Sequence, residues 1–450
     1  MKRRDFMQLL AATGLTAQAP LWTPKANAMP PEHFLVVVNA GGGWDPTSIC
    51  DPKGLTGLYA SNSDRHGGST NSVDLDPNKT IGDIQWSAVP EFVSGDDNTL
   101  LRIESQYDLF FQTYGNQLTV INGIDNGTNN HETGNRATWS GNSDMGYPSL
   151  AAFYAASVSP RLPMAFISNG GYDFTDSLVA RARASNANFV NEISDPNRYA
   201  TDQSYLYRSA NRSVDEYATV AAAQAARLAR QQQSEALPLR RQQLGQLFNV
   251  RGEDSNLGAL TVNLENIRNN VDRDANWNVN RGENLKSQAE VVVAAFQSGL
   301  CASANLSVGG FDTHGNHDQN AYPRYGDLLE GVHFLMQALT FAGIANRTTV
   351  VIGSDFGRTP YYNSGNGKDH WPITSVMVID PRTNGPKLFG ASTADFRATN
   401  INAQTGALDS NGVVLTPANV NQSLRRLLGV DQNDLAALYP LATDDFNIFS

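Results

Sequence analysis

The sequence predicts an α/β fold: a doubly wound, mostly parallel sheet flanked by helices, with an inserted helical subdomain. Three observations lead there. Short apolar, β-branched runs recur along the chain, segments with helical spacing separate them, and Gly-rich stretches carrying Asp and His follow several of the runs. A strand buried on both faces reads as a near-continuous apolar run, as in a parallel sheet covered by helices. Strand alternating with helix gives the doubly wound arrangement, whose ligands bind beyond the carboxyl ends of the strands.

In chain order the first element is a leader. "KRRDFMQLLAATGLTAQAPLW" has paired Arg3 and Arg4, Phe6, a mild apolar stretch, and then Ala26-Asn27-Ala28. Basic, apolar and small-residue regions in that order make a twin-arginine export signal, expected over 1–28 and placing the mature chain in the periplasm or outside the cell. Its apolar part is too short and too broken to span a bilayer. The twin-arginine export machinery is therefore an expected partner, and a stable membrane span is not.

The body of the protein, 29–450, reads as one α/β domain. Strands are expected at "HFLVVVNA" (33–40), "QLTVING" (117–123), "MAFIS" (164–168), "NLSVGGF" (305–311), "TTVVIG" (348–353) and "SVMVID" (375–380). Helical spacing marks 149–158, 283–300 and 325–343. Residues 51–100, dense in Gly, Asp, Asn and Ser, read as a long excursion. Residues from about 185 to 282 break the rhythm with Ala, Gln and Arg, which predicts the helical insertion. "TPANVNQSLRRLLGV" opens with a Thr-Pro helix start near the end.

Composition narrows the function. A length of 450 residues allows a large core, and a formal charge of −11 argues against general nucleic-acid or anionic-membrane binding. Cys50 follows the first strand and Cys301 precedes a later one, so they lie at opposite ends of a parallel sheet. A strand length is roughly 17 Å and a disulfide needs Cα atoms within about 7 Å, so no bridge is expected.

The chemistry gathers at strand ends. "VVVNAGGGWD" brings Asp45 after three glycines that let the backbone approach something closely. In "SVGGFDTHGNHD", a strand running on through Phe311 would point Asp312 and His314 to one side, as ligands for Zn²⁺, Mn²⁺ or a similar ion. His317 and Asp318 follow in a Gly-Asn turn and are open to ligand, supporting or surface roles. In "SDFGRTPYYNSGNGKDHWP", Asp355 follows a strand, and Asp369-His370 return after a Gly/Asn-rich loop. There His370 would ligate, with Asp369 orienting it or a neighbour, and Arg358 would hold an anionic group or neutralise acids. Oxygen and nitrogen donors without cysteine suit one or two divalent ions, and two ions side by side serve phosphoryl or sulfuryl ester hydrolysis.

"GGGWDP", "GGFDTHGNHDQ", "SDFGRTP" and "GKDHWP", in this order behind a twin-arginine leader, resemble the secreted family numbered 1501 among the domains of unknown function. That family is similar to sulfatases and belongs with the alkaline-phosphatase-like superfamily. The resemblance covers nearly the whole mature chain. It implies that Asp45 helps bind one metal, that Asp312 and His314 bind the other with His317 as a rival, and that Asp355, Asp369 and His370 complete the set. The ions implied are Zn, Mn, Ca or Mg. The superfamily nucleophile, a Ser or Thr at a helix start, maps to "NGIDNGTNNHETGNRATWSG" (122–141), where Thr128 and Thr133 are the hydroxyls. His131 there matches as a ligand or acid/base, and Arg136 as a substrate contact. The implied function is an exported, metal-dependent hydrolase of phosphate or sulfate esters, with attack by Thr128 or a metal-bound water and Arg358 on the anion. Family members often have Ser-His-Phe where this chain has Asn130-His131-Glu132. The alternative is therefore a non-catalytic periplasmic or cell-surface metal-binding protein of the same fold.

Overall fold

A computed structural model describes residues 30–53, 78–89, 97–184, 190, 214–237, 240–241, 257–271, 283–441 and 443–449. The expected leader, most of the 51–100 excursion and much of the 185–282 insertion lie outside the described residues. The elements that position the site are, in order, β1 (Phe34–Gly41), α1 (Asp97–Tyr114), β2 (Leu118–Asp125), α2 (His131–Ser140), α3 (Leu150–Val158), β3 (Phe166–Ser168) and β4 (Arg181–Ala182). There follow α4 (Val214–Ser234), α5 (Leu257–Asn270), α6 (Glu283–Gln297), β5 (Ser303–Gly309), α7 (His317–Phe341) and β6 (Thr348–Gly353). The chain closes with β7 (Gly357–Arg358), β8 (His370–Trp371), β9 (Ile373–Ile379), β10 (Lys387–Phe389) and α8 (Pro417–Leu427).

β1 shows why the run "FLVVV" makes a central strand. Phe34, Val36, Val38 and Ala40 enter one apolar core while Leu35 and Val37 enter another on the opposite face. Alternation across a pleat sends neighbouring side chains to opposite faces, so a strand apolar at every position needs cover on both. α1, α5, α6 and α7 contribute to the first core, α2, α3 and α8 to the second. Each fully buried aliphatic or aromatic side chain contributes roughly 1.5–3 kcal/mol. The doubly wound sheet is thus explained residue by residue.

The sheet has eight strands in the order β10-β2-β9-β6-β1-β5-β3-β4. β1 pairs in parallel with β5 and β6, β3 in parallel with β4 and β5, and β10 in parallel with β2. β9 is antiparallel to both β2 and β6. Every strand but β9 therefore runs the same way. The exception matters: the start of β9 lies at the edge where β1, β2, β5 and β6 end.

Some expectations change in detail. β5 ends at Gly309, so Asp312 and His314 stand on a loop and not on an extended strand. α7 begins at His317, well before the expected 325, because its first turns bury His317, Asp318 and Tyr322, which carry no aliphatic period. α1 has no counterpart among the expected helices; it buries Ile103, Tyr107, Phe110, Phe111 and Tyr114. In the region of the insertion, α4 is largely exposed, whereas Leu257, Leu260, Leu264 and Ile267 of α5 join the main core. Cys50 and Cys301 are both buried and free. Among the described residues no helix is long and apolar enough to cross a membrane.

Candidate metal centre

Four segments leave the sheet at the shared edge and meet there. β2 leads into α2, whose first residue is His131, held by Asn130 as N-cap with its Oδ1 accepting from Thr133 N at 3.1 Å. The loop after β5 carries Asp312 and His314. The turn after β6 carries Asp355 and leads into β7. The Gly/Asn-rich loop then returns as β8, antiparallel to β7, with His370 directly opposite Arg358. That pairing brings the two arms of "SDFGRTPYYNSGNGKDHWP" to one point. Asn363 organises the loop, its Oδ1 accepting from Gly365 N and Gly367 N at 2.9 Å and its Nδ2 donating to Asp369 at 3.1 Å.

At the meeting point, His131, Asp312 and His370 each offer a ligand atom, all within 4.8 Å of one another. Asp312 Oδ1 is 3.2 Å from His370 Nε2 and 3.1 Å from His314 Nε2, and Asp312 Oδ2 is 3.7 Å from His131 Nε2. His314 Nε2 and His370 Nε2 are 3.0 Å apart. The Phe356 ring lies 4.7 Å from both the His131 and His370 rings, flooring the cluster. Asp312 and His314 are half exposed, at 49 % and 48 %, so the cluster opens to solvent.

The outer nitrogens decide what the inner ones can do. His131 Nδ1 bonds the Asp355 carboxylate, His314 Nδ1 bonds Asp369 Oδ1 at 2.7 Å, and His370 Nδ1 bonds the Asn129 carbonyl at 2.8 Å. Each partner only accepts, so each Nδ1 carries the proton. In the neutral ring each Nε2 then points a lone pair inward, in the manner of metal-bound histidines oriented by carboxylates. Three such nitrogens around a carboxylate repel one another unless a proton or a cation sits among them. Nitrogen and carboxylate donors of this kind fit a borderline divalent ion such as zinc.

The charges agree. The bond to Asp355 holds the His131 pKa above its usual value, against the lowering effect of burial. Desolvation would raise the Asp312 carboxyl, yet the hydrogen bond and charge of Arg358 hold it at about 2. The bond from His314 likewise lowers Asp369.

The glycines of "GGGWD" approach a carboxylate. Gly42 and Gly43 have φ of 119° and 77°, and a Cβ on Gly43 would meet the Phe356 ring at 2.5 Å. Freed of side chains, their N–H groups donate to Asp355 Oδ1 at 3.3 and 2.5 Å. Asp355 is fully buried with Oδ2 on His131, so it orients a candidate ligand from behind.

Other sequence-derived residues offer the cluster no ligand atom. The structure does not bring Asp45 to the cluster: it is buried, caps the turn at Pro46–Ser48, and its Oδ2 accepts from Lys368 Nζ at 2.6 Å. Burial would raise that carboxyl, but the Lys368 charge holds it well below the usual range. His317 sits beside it, its Nε2 3.4 Å from Asp45 Oδ2 and without a hydrogen bond among the described residues, and burial depresses its pKa. Between the two rivals, His314 faces the cluster and His317 lies beneath it. Arg358 is completely buried, donating to the Gly43 and Lys368 carbonyls at 2.7 and 2.9 Å, to the Gly42 carbonyl, and to Asp312 at 2.6 Å. It is positioned to fix Asp312 and leaves no face for a substrate anion. Thr128 Oγ1 accepts from Asn130 N at 3.1 Å in the turn before α2. Arg136 is committed to Glu132, Thr133 and the Ser143 carbonyl. Lys368, which the sequence reading passed over, stands within the quoted "GKDHWP"; a lysine among acids was the available signal.

The family described as "Protein of unknown function (DUF1501)" matches residues 34–436. No curated protein sequence matches the chain. Among solved structures, a lipoteichoic acid synthase from Listeria monocytogenes is 9% identical with a TM-score of 0.36, covering 98% of this chain and 81% of its own. A putative sulfatase from Bacteroides thetaiotaomicron is 10% identical with a TM-score of 0.32, covering 93% and 74%. Alkaline phosphatase from the Antarctic bacterium TAB5 is 11% identical with a TM-score of 0.30, covering 78% and 92%.

Proposed function

We propose a function for this chain, which belongs to the protein family of unknown function DUF1501, from one observation: three oriented imidazole Nε2 atoms and a carboxylate converge at a solvent-facing point. The protein is a metal-dependent hydrolase of phosphate or sulfate esters, exported by the twin-arginine route to the periplasm or beyond. His131, Asp312 and His370 hold one divalent cation, zinc being the best match to the donors. When bound, the cation supplies Lewis-acid polarisation of an ester oxygen.

The chain's own residues do the rest. Asp355 and the Asn129 carbonyl fix the tautomers of His131 and His370, and Arg358 pins Asp312 and offsets its charge. His314, backed by Asp369 and lining the open cleft, is the acid/base. It takes a proton from water as the water oxygen bonds to phosphorus or sulfur. The ester P–O or S–O bond breaks with its electron pair on the leaving oxygen, to which His314 returns a proton. Lys368 supports a single cation, since its ammonium already neutralises Asp45, the other carboxylate suited to a second ion.

A non-catalytic metal-binding role is the second reading, favoured by the commitment of Thr128 and Arg358 to the fold. The deciding experiment combines metal analysis of the purified protein with turnover of aryl phosphate and aryl sulfate esters. The hydrolase reading expects one metal per chain, its loss in Asp312→Ala, and ester cleavage. Retained metal without cleavage leaves the binding role, and absence of any divalent metal overturns both. Export is checked by replacing Arg3 and Arg4 with lysine, which should leave the protein in the cytoplasm.

A further inference from the structure

The cleft beside Asp312 and His314 has a volume of about 460 Å³ and is also lined by the first turns of α7, including Gln319, Asn320 and Arg324. Arg358, the residue expected to meet an anion, is sealed beneath it. Of the described side chains lining the cleft, Arg324 alone is a permanent cation. Its side chain is 44 % exposed, and among the described residues only Nη1 is engaged, by Asp327 at 3.3 Å. Nε and Nη2 are left to face a ligand. Residue 310 leaves them room, since a Cβ there would lie 2.9 Å from Arg324 Nε. Asn320 and Arg324 are four apart on α7 and so share a helix face.

We propose that Arg324 grips the tetrahedral oxyanion of the substrate, phosphate or sulfate, in the cleft beside the cation. The inference rests on the hydrolase reading and extends it with a substrate-binding residue. A guanidinium with two adjacent N–H edges matches two oxygens of such a group, which a lone ammonium does not. Asp327 offsets part of its charge through Nη1, whereas Asp312 is taken up by Arg358.

The test is calorimetric titration of the zinc-loaded full chain with inorganic phosphate and, separately, sulfate, with zinc content measured on each sample. Arg324→Gln should weaken anion binding roughly ten- to a hundred-fold, the loss expected of charge-assisted hydrogen bonds. Gln319→Glu keeps Arg324 in place and adds an acid to the exposed first turn of α7, where an acid favours the helix. It should weaken the anion about three- to ten-fold by repulsion while the protein stays folded. The anion that the wild type binds more tightly identifies the ester. Wild-type affinity in both variants, or no binding of either anion by the zinc-loaded wild type, overturns the proposal while leaving the metal site standing. If zinc itself fails to load, the hydrolase reading falls instead, and the same titrations on the metal-free chain decide Arg324.

Discussion

Replacing Asp355 with asparagine changes one atom and should invert the tautomer of His131. The Gly42 and Gly43 N–H groups donate to Oδ1 at 3.3 and 2.5 Å, so the amide oxygen of the variant must stay on that side. Its NH₂ then faces His131 Nδ1, the atom that donates to the carboxylate in the wild type. Two donors cannot meet, so the imidazole gives up its Nδ1 proton and carries it on Nε2, where a cation would need a lone pair. Partners that orient metal-bound histidines are worth 10–100-fold in metal affinity, or about 1.4–2.8 kcal/mol at roughly 1.4 kcal/mol per decade. The assay is zinc binding by competition with a chelating dye, on wild type, Asp355→Asn and His131→Ala. The variant should fall between the other two, with its circular dichroism unchanged. Zinc affinity equal to wild type in a folded Asp355→Asn protein would refute the tautomer argument and with it the orienting role of Asp355.

Two further outcomes follow from buried charge. Lys368→Met strands Asp45 without its cation inside the protein, and loss of one partner of a buried pair costs about 3–5 kcal/mol. Urea unfolding measures this, and a loss under about 1 kcal/mol would mean that Thr47 and Ser48 carry the carboxylate unaided. His33 is held at about 4, chiefly by burial and then by the Arg382 charge, against about 6.5 in an unfolded chain. Below pH 6.5 the unfolded state therefore binds more protons than the folded one. Stability is full above that pH and falls as the pH drops towards 4, by at most about 3 kcal/mol before allowing for partial exposure. Melting temperature against pH should show this slope in the wild type and a shallower one in His33→Gln.

How much of the protein was legible in advance depended on the range of the physics involved. The apolar runs at 33–40, 117–123, 164–168, 305–311, 348–353 and 375–380 all became strands of the main sheet, because a strand covered on both faces must be apolar at every position. α1 and the first turns of α7 were not legible in the same way, the former following a Gly- and Asp-rich excursion, the latter burying His317, Asp318 and Tyr322. Family membership too was readable from four short motifs, and the match over 34–436 agrees.

By itself, then, the sequence determined the layered α/β architecture and which residue types gather at the ends of its strands. Tertiary structure alone decided what each does there. Asp45 and Lys368 are 323 residues apart, and nothing local says that a carboxylate after the first strand will meet an ammonium near the end of the chain. His314 and His317 differ by one turn of chain, yet one reaches the open cluster and the other starts a buried helix turn. Arg358 looked free to bind an anion until the carbonyls of Gly42, Gly43 and Lys368 closed around it. The reason is common to all three. Backbone pattern follows from local burial, but a charged side chain takes its role from whichever partner shares its low-dielectric surroundings, and that partner comes from the fold.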